Sequence, residues 1–265
     1  MALANIMANG VKRKLEQLTK LKEQKIFLIT DFDGTIAAYR KDPRKVALAK
    51  DMVEILQKFT KKPNLKLAVV SGRGLKDLEN MVTIRGIILA GCFGGIYRDE
   101  QGKLQTWEKA SEYFGPAEEL ANFFSCSLDL KEVLIEKKEI ALTLHYKDLG
   151  TKKRREVLKI IEEARGKNPV FNFYVGDRGT EIIPKGLGKG WFIQEMLKKY
   201  PGFYPVFLGN DWVDLEGVEI LKGRGLTFYV GDPPPPGSIG LSGLKEVKKL
   251  FKKLLSLNQA VLSAS

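Results

Sequence analysis

Short, wholly apolar runs alternate with amphipathic segments along this chain, and that alternation leaves few folds open to it. Ile26-Phe27-Leu28-Ile29-Thr30 is too short for a helix and lacks the polar alternation of a half-exposed strand. It is expected as a strand buried on both faces of a parallel sheet. Leu65 to Val70 and Gly86 to Ala90 repeat the signal, with helical periodicity over Val46 to Phe59 and a short helix over Leu75 to Met81 between them. From Lys189 the alternation resumes: helix Trp191 to Tyr200, strand Pro205 to Leu208, helix Val213 to Leu221, strand Leu226 to Val230 and a final amphipathic helix, Gly243 to Leu254. Right-handed βαβ units predict an α/β fold with a Rossmann-like parallel-sheet core. Leu3 to Leu21 reads as mostly helix.

The middle of the chain breaks the pattern. Ile96-Tyr97-Arg98 and Leu104-Gln105-Thr106 flank a hairpin turn, and helix Pro116 to Phe124 follows. Strands are expected at Val133 to Glu136 and at Glu139 to Tyr146, the latter with Ile140, Leu142, Leu144 and Tyr146 on one face. Helix Lys152 to Ala164 leads to a second hairpin, Phe171 to Val175 with Thr180 to Ile183, turning at Gly176 to Gly179. Antiparallel strands with two helices on one side predict an inserted α+β cap over 101–185, within a core formed by 1–100 and 186–265. Pro233 to Pro236 reads as a stiff spacer.

Composition narrows the chemistry. The net charge of +12 is spread over the chain, and its densest runs, Lys152 to Arg155 and Lys248 to Lys253, fall on the polar faces of expected helices. No nucleic-acid partner is expected; the charge suits attraction of small anions. No apolar run approaches the roughly 18 residues that span a bilayer, so no membrane partner is expected and the cytoplasm is the default location. Cys92 and Cys126 offer no disulfide framework, and His145 is the one histidine. Chemistry must rest mainly on carboxylates, Lys and Arg.

Asp31 and Asp33, in Asp31-Phe32-Asp33-Gly34-Thr35, directly follow the first strand, where open α/β sheets place their ligands. Paired carboxylates at this spacing suit phosphoryl transfer, one as nucleophile and the other as acid and base; a plain strand-end turn also accommodates them. Ser71-Gly72-Arg73 ends the second strand and can face an anion with a hydroxyl and backbone N–H groups, or simply cap a helix. Lys189 opens a helix between Gly188 and Gly190 and can bring a compact positive charge to the same edge. Gly209-Asn210-Asp211-Trp212-Val213-Asp214 follows a later strand and adds a third acidic cluster.

In that order these four segments resemble the motifs of haloacid dehalogenase superfamily phosphatases. Ala141 to Lys147 and Gly179 to Pro184 further resemble the cap of trehalose-6-phosphate phosphatases. The resemblance implies that Asp31 attacks phosphorus and forms an aspartyl-phosphate, while Asp33 protonates the sugar oxygen and then activates water. It implies phosphate binding by Ser71, Gly72, Arg73 and Lys189. Mg²⁺ is expected among Asp31, Asp33, Asn210, Asp211 and Asp214. The substrate implied is a small sugar phosphate, trehalose 6-phosphate above others, with a glycosyltransferase as partner and trehalose biosynthesis as setting. Lys147, Arg178 and Glu181 flank the cap strands and turn and are the candidates for sugar contact.

Three positions depart from the pattern. Asn210 replaces the first aspartate of the last motif, which removes a charge from the metal site. Gly91-Cys92-Phe93-Gly94 stands where Gly-x-His-Gly is common, and Ile183 replaces an arginine; both changes fall on groups expected near the sugar. Alternatives are a phosphatase for another sugar phosphate, a weakened sensor of sugar phosphates, and a cysteine phosphatase using Cys92 and Arg98 at Cys-x₅-Arg spacing.

Overall fold

The computed structural model describes residues 18, 21, 24–40, 42–177 and 179–257. Apart from Leu18 and Leu21, the expected N-terminal helix lies outside them, as does Arg178. Parallel strands form the centre of the large sheet: β1 (Ile26–Thr30), β2 (Leu65–Val70) and β3 (Ile88–Gly91), separated by helices α1 (Lys50–Thr60) and α2 (Leu75–Met81). Strands β4 (Ile96–Arg98) and β5 (Leu104–Thr106) continue it antiparallel at one edge. Next come helix α3 (Phe114–Ser127), strands β6 (Leu134–Lys137) and β7 (Leu142–His145), helix α4 (Thr151–Lys167), and the hairpin β8 (Phe171–Val175) and β9 (Gly179–Pro184). The large sheet resumes with α5 (Lys189–Lys199), β10 (Tyr204–Gly209), α6 (Leu215–Leu221), β11 (Leu226–Val230), β12 (Ile239–Leu241) and α7 (Leu244–Leu257). Its strand order is β12-β11-β10-β1-β2-β3-β4-β5.

The two faces of β1 explain why its sequence has no polar alternation. Ile26 and Leu28 enter one core with Met52, Ile55, Val247 and Phe251, beneath α1 and α7. Phe27 and Ile29 enter the other with Phe192, Ile193 and Met196 of α5. Each such side chain stabilises the fold by roughly 1.5–3 kcal/mol relative to exposure. With β1, β2 and β10 parallel and in register from Ile26 with Leu65 and Tyr204, their C-terminal ends share one edge. Asp31, Ser71 and Asn210 are each the first residue beyond a strand.

The second sheet, β6-β7-β9-β8, is antiparallel throughout. Ile140, Leu142, Leu144 and Tyr146 are all buried, as their alternation predicts. On the opposite face the register lines up Glu136, Thr143, Glu181 and Tyr174 across four strands. Tyr174 stacks on Trp212, which follows β10, with ring centroids 4.7 Å apart. That contact turns the polar row toward the strand ends of the large sheet.

Three expectations need correction. Residues 104–106, placed in the cap, pair with β4 in the large sheet, because the hairpin continues that sheet's edge. Val213 to Leu221 is not one helix: a 3₁₀ turn, Trp212–Asp214, precedes α6 and is capped by Asp211. Strand β12 was not expected, since Ile239-Gly240-Leu241 is short and carries a glycine. Among the described residues no helix is long and apolar enough to cross a membrane.

Candidate active site

The chain turns sharply after β1. Phe32 O accepts from the N–H groups of Ile36 (3.1 Å) and Ala37 (3.0 Å), and Gly34 N–H donates to Ala37 O (2.7 Å). Gly34 has φ +83°, and a Cβ there would collide with the Asn210 amide and the Tyr39 ring, so glycine is required twice over. The turn carries Thr35 back beneath Asp31, where its hydroxyl donates to Asp31 Oδ2 at 2.9 Å.

The other Asp31 oxygen meets Lys189. Its ammonium lies 2.6 Å from Asp31 Oδ1 and 2.6 Å from Asp214 Oδ1, and all three side chains are buried. Lys189 reaches this point because α5 begins between glycines against Glu216, whose Oε2 accepts from Gly190 N–H at 2.9 Å. Burial pushes the Asp31 carboxyl up to about 7, against the opposing pull of Lys189. Burial alone would pull the Lys189 ammonium down, but Asp214 and Asp31 outweigh it and push it above the ordinary lysine value.

Asp33 is gripped by Arg73, whose Nε and a terminal nitrogen each donate to one carboxylate oxygen at 2.7 Å. Arg73, expected to face phosphate, therefore faces the second carboxylate instead. Ser71 is buried, and its Oγ accepts from Arg73 N–H at 3.2 Å, which fixes the loop that carries the guanidinium. Gly72 packs under Phe93, where a Cβ would lie 2.8 Å from the ring.

The last motif sorts its three acidic or amide side chains. Asp214 Oδ2 accepts from the N–H groups of Asn210 (2.8 Å) and Asp211 (3.1 Å) while Oδ1 holds Lys189, so both of its oxygens are used. Asp211 is exposed and caps Trp212 N–H at 2.6 Å. Of these two expected metal ligands, Asp214 meets Asp31 through the shared Lys189 ammonium and Asp211 is committed to its cap. Asn210 is turned toward Asp31. Asn210 Oδ1 lies 3.1 Å from Thr35 Oγ1, and the other end of the amide is 2.9 Å from the Tyr39 hydroxyl.

That inward amide atom also lies 3.0 Å from Asp31 Oδ2 and 3.1 Å from the main-chain oxygen of Asp33. The inward atom of the amide is therefore either a nitrogen that donates to these oxygens or an oxygen that shares a cation with them. Mg²⁺ takes ligands at 2.0–2.1 Å near right angles, which sets neighbouring oxygens about 2.9 Å apart. One carboxylate, one main-chain carbonyl and one amide oxygen therefore form a hard-oxygen set that fits Mg²⁺. Among the described residues no group of three or more His, Cys, Asp or Glu side chains is arranged for a metal.

Sequence reasoning missed most of the second sheet's contribution. Lys138 is buried, donates to Thr143 Oγ1 and pairs with Glu181 Oε2 at 3.2 Å, and Thr143 Oγ1 donates to the same Glu181 oxygen at 2.7 Å. His145 Nε2 is 2.8 Å from Glu136 Oε2. Burial raises the Glu136 carboxyl, but Lys138, His145 and Arg73 outweigh it and hold it at about 2. Glu139 reaches across to the large sheet, where Leu75 N–H (3.1 Å) and the Cys92 thiol (3.0 Å) donate to it. Lys147, a candidate for sugar contact, is exposed and follows the C-terminal end of β7. The signal for Lys138 was the charged stretch Glu136 to Glu139, whose outer residues were placed in the expected strands. Cys92 is no nucleophile: burial and Glu139 push its thiol well above the ordinary value, and Arg98 pairs with Glu79.

Comparison with known proteins agrees with this arrangement. The "Probable trehalose-phosphate phosphatase" of Sinorhizobium fredii (strain NBRC 101917 / NGR234) is 28% identical over 228 residues, covering 84% of each chain. The "Alpha,alpha-trehalose-phosphate synthase [UDP-forming] B" of Dictyostelium discoideum is 23% identical over 221 residues, 79% of this chain but only 27% of that longer protein. Among solved structures, the C-terminal domain of the C. albicans trehalose-6-phosphate phosphatase superposes with a TM-score of 0.75 at 20% identity, covering 91% of this chain and 95% of that one. A haloacid dehalogenase-like hydrolase from Bacteroides thetaiotaomicron gives 0.62 at 14% identity, covering 86% and 99%. The fold is that of the haloacid dehalogenase superfamily. The "Trehalose-phosphatase" family model matches residues 29–222. With most of its length, and all four clusters at the sheet edge, inside that match, the chain belongs to the trehalose-phosphatase family of hydrolases.

Proposed function

We propose that this chain removes phosphate from a phosphorylated sugar, trehalose 6-phosphate, with Asp31 as nucleophile. The observation that carries the reading is the buried Asp31 carboxylate, with Lys189 on one oxygen and the Asn210 and Thr35 side chains at the other. In the first step an Asp31 oxygen bonds to phosphorus and the bond from phosphorus to the sugar oxygen breaks. Asp33 supplies the proton that the leaving oxygen needs. In the second step Asp33 takes a proton from water, whose oxygen attacks phosphorus, and the aspartyl-phosphate bond breaks to restore Asp31 and release phosphate. Arg73 donates one hydrogen bond to each Asp33 oxygen, which leaves each oxygen a second lone pair for the proton.

Lys189 and the Ser71 loop hold the phosphoryl group against the strand ends, and Asp214 keeps Lys189 in place. Mg²⁺ held by Asp31, the Asp33 main-chain oxygen and Asn210 would supply further positive charge against the phosphoryl oxygens. Glu136, Lys138 and Glu181 face this edge from the second sheet, the cap of the proposed two-domain arrangement, and offer donors and acceptors to sugar hydroxyls. The names of the relatives indicate trehalose 6-phosphate as the ester. A glycosyltransferase that makes that ester, like the synthase among the relatives, is the partner this reading implies, and the cytoplasm its setting.

The test is phosphate release from a panel of sugar phosphates with and without Mg²⁺, with Asp31→Asn as control. Release that is fastest from trehalose 6-phosphate, needs Mg²⁺ and falls at least about 10⁴-fold in the variant supports the reading. A folded protein releasing phosphate from none of them would make the chain a sensor instead.

A further inference from the structure

The amide of Asn210 meets opposite demands at its two ends. With its oxygen inward it faces Thr35 Oγ1, Asp31 Oδ2 and the Asp33 main-chain oxygen, an arrangement that requires a cation among them. With the amide turned over, its nitrogen donates to Asp31 Oδ2 at 3.0 Å and to the Asp33 main-chain oxygen at 3.1 Å, and its oxygen accepts from the Tyr39 hydroxyl at 2.9 Å. Thr35 has a single hydroxyl proton, and its bond to Asp31 Oδ2 at 2.9 Å uses it, so its oxygen, 3.1 Å from the inward nitrogen, accepts by sharing one of the two N–H groups. Tyr39 suits both states, because a hydroxyl accepts from the amide nitrogen or donates to the amide oxygen. The two orientations exchange nitrogen and oxygen in place and fill the same volume, so neither displaces Gly34 or the Tyr39 ring packed against the amide.

We propose that Asn210 is a two-position ligand that seals the cation site from within when no cation is bound. Nitrogen inward, its two N–H groups take the place of the cation among the Asp31, Asp33 and Thr35 oxygens. Oxygen inward, it ligates Mg²⁺ as a neutral group. An aspartate at this position could do only the second. Without a cation it would set a carboxylate 3 Å from the Asp31 carboxylate, where like charges repel. Asn210 therefore gives up cation affinity and gains a site that stays assembled without the cation.

This inference rests on the Mg²⁺-dependent reading and goes beyond it to a property of this chain's own amide. Its test follows the Asn210 side-chain NH₂ by ¹⁵N–¹H NMR in the whole chain, assigned by its loss in Asn210→Asp. Slow exchange with solvent in chelator, becoming fast on adding Mg²⁺, is expected. Exchange that is equally fast in both conditions overturns the inference. In parallel, thermal unfolding of Asn210→Asp is expected to show a lower Tm in chelator, a larger Mg²⁺-induced rise, and Mg²⁺ affinity higher by about tenfold or more. Equal Tm values and equal affinities for the two proteins also overturn it. Absence of any Mg²⁺ binding to either protein contradicts instead the metal-dependent reading beneath it.

Discussion

The strand ends of the large sheet and the polar face of the second sheet are both rich in charge, but they hold it differently. At the strand-end edge the charged groups stand in the turns just past strands or at a helix start and are locked by short bonds: Lys189 between Asp31 and Asp214, Asp33 against Arg73. On the second sheet Glu136, Thr143 and Glu181 stand in mid-strand, aligned by cross-strand register, and Lys138 joins them from the turn beyond β6. The first region has one geometry built for one reacting group. The second presents a row of donors and acceptors whose spacing can change with side-chain length. The contrast separates chemistry from selectivity in the proposed enzyme.

Lys189→Met tests the contrast most severely. It leaves Asp31 and Asp214 buried without their shared cation, so a loss of about 3–5 kcal/mol of stability is expected from urea unfolding. Turnover should be lost with it. A well-folded, active variant would show that the strand-end charges are not mutually dependent. Lys138→Ala should act differently. It is expected to lower kcat/KM for the sugar ester about 10–100-fold, mainly through KM, and to leave hydrolysis of p-nitrophenyl phosphate nearly unchanged. Lys147→Ala, at an exposed position, should leave both substrates unaffected. Equal losses on both substrates would place Lys138 in the chemistry itself.

The smallest effect is a difference of sign in pH dependence, measured by unfolding in chelator. Glu136 is held near 2, below its ordinary 4.5, so the stability it contributes is present above about pH 4.5 and is lost as pH falls toward 2. Asp31 is raised from 3.8 to about 7, so its burial favours the protonated form. Its penalty therefore grows as pH rises from about 4 to 7. Glu136→Gln should flatten the acid limb alone, and Asp31→Asn the neutral limb alone. One variant flattening both limbs would mean that the two regions titrate together.

The same contrast decides what the sequence made legible. Central strands such as Ile26–Thr30 were readable because burial on both faces leaves a continuous apolar run. Asp31, Asp33, Ser71 and Lys189 were readable because strand ends and helix starts are marked locally. The assignment among Asn210, Asp211 and Asp214 was not, since the 3₁₀ turn that sends Asp214 to Lys189 and Asp211 to Trp212 N–H leaves no periodic trace. Lys138 was hidden for a different reason. Its neighbours Thr143 and Glu181 meet only through the β7–β9 register, and its position against Phe93 depends on how the second sheet meets the first. Residues 104–106 fell on the wrong side of the expected boundary because either sheet could have received that hairpin.

The central claim is a covalent intermediate on Asp31, and acyl phosphates are reduced by borohydride to the alcohol. Protein quenched during turnover of trehalose 6-phosphate, treated with borohydride and mapped by mass spectrometry, is predicted to carry homoserine at position 31 and aspartate at position 33. Homoserine at position 33, or an unmodified Asp31 in protein trapped while releasing phosphate, would contradict the account.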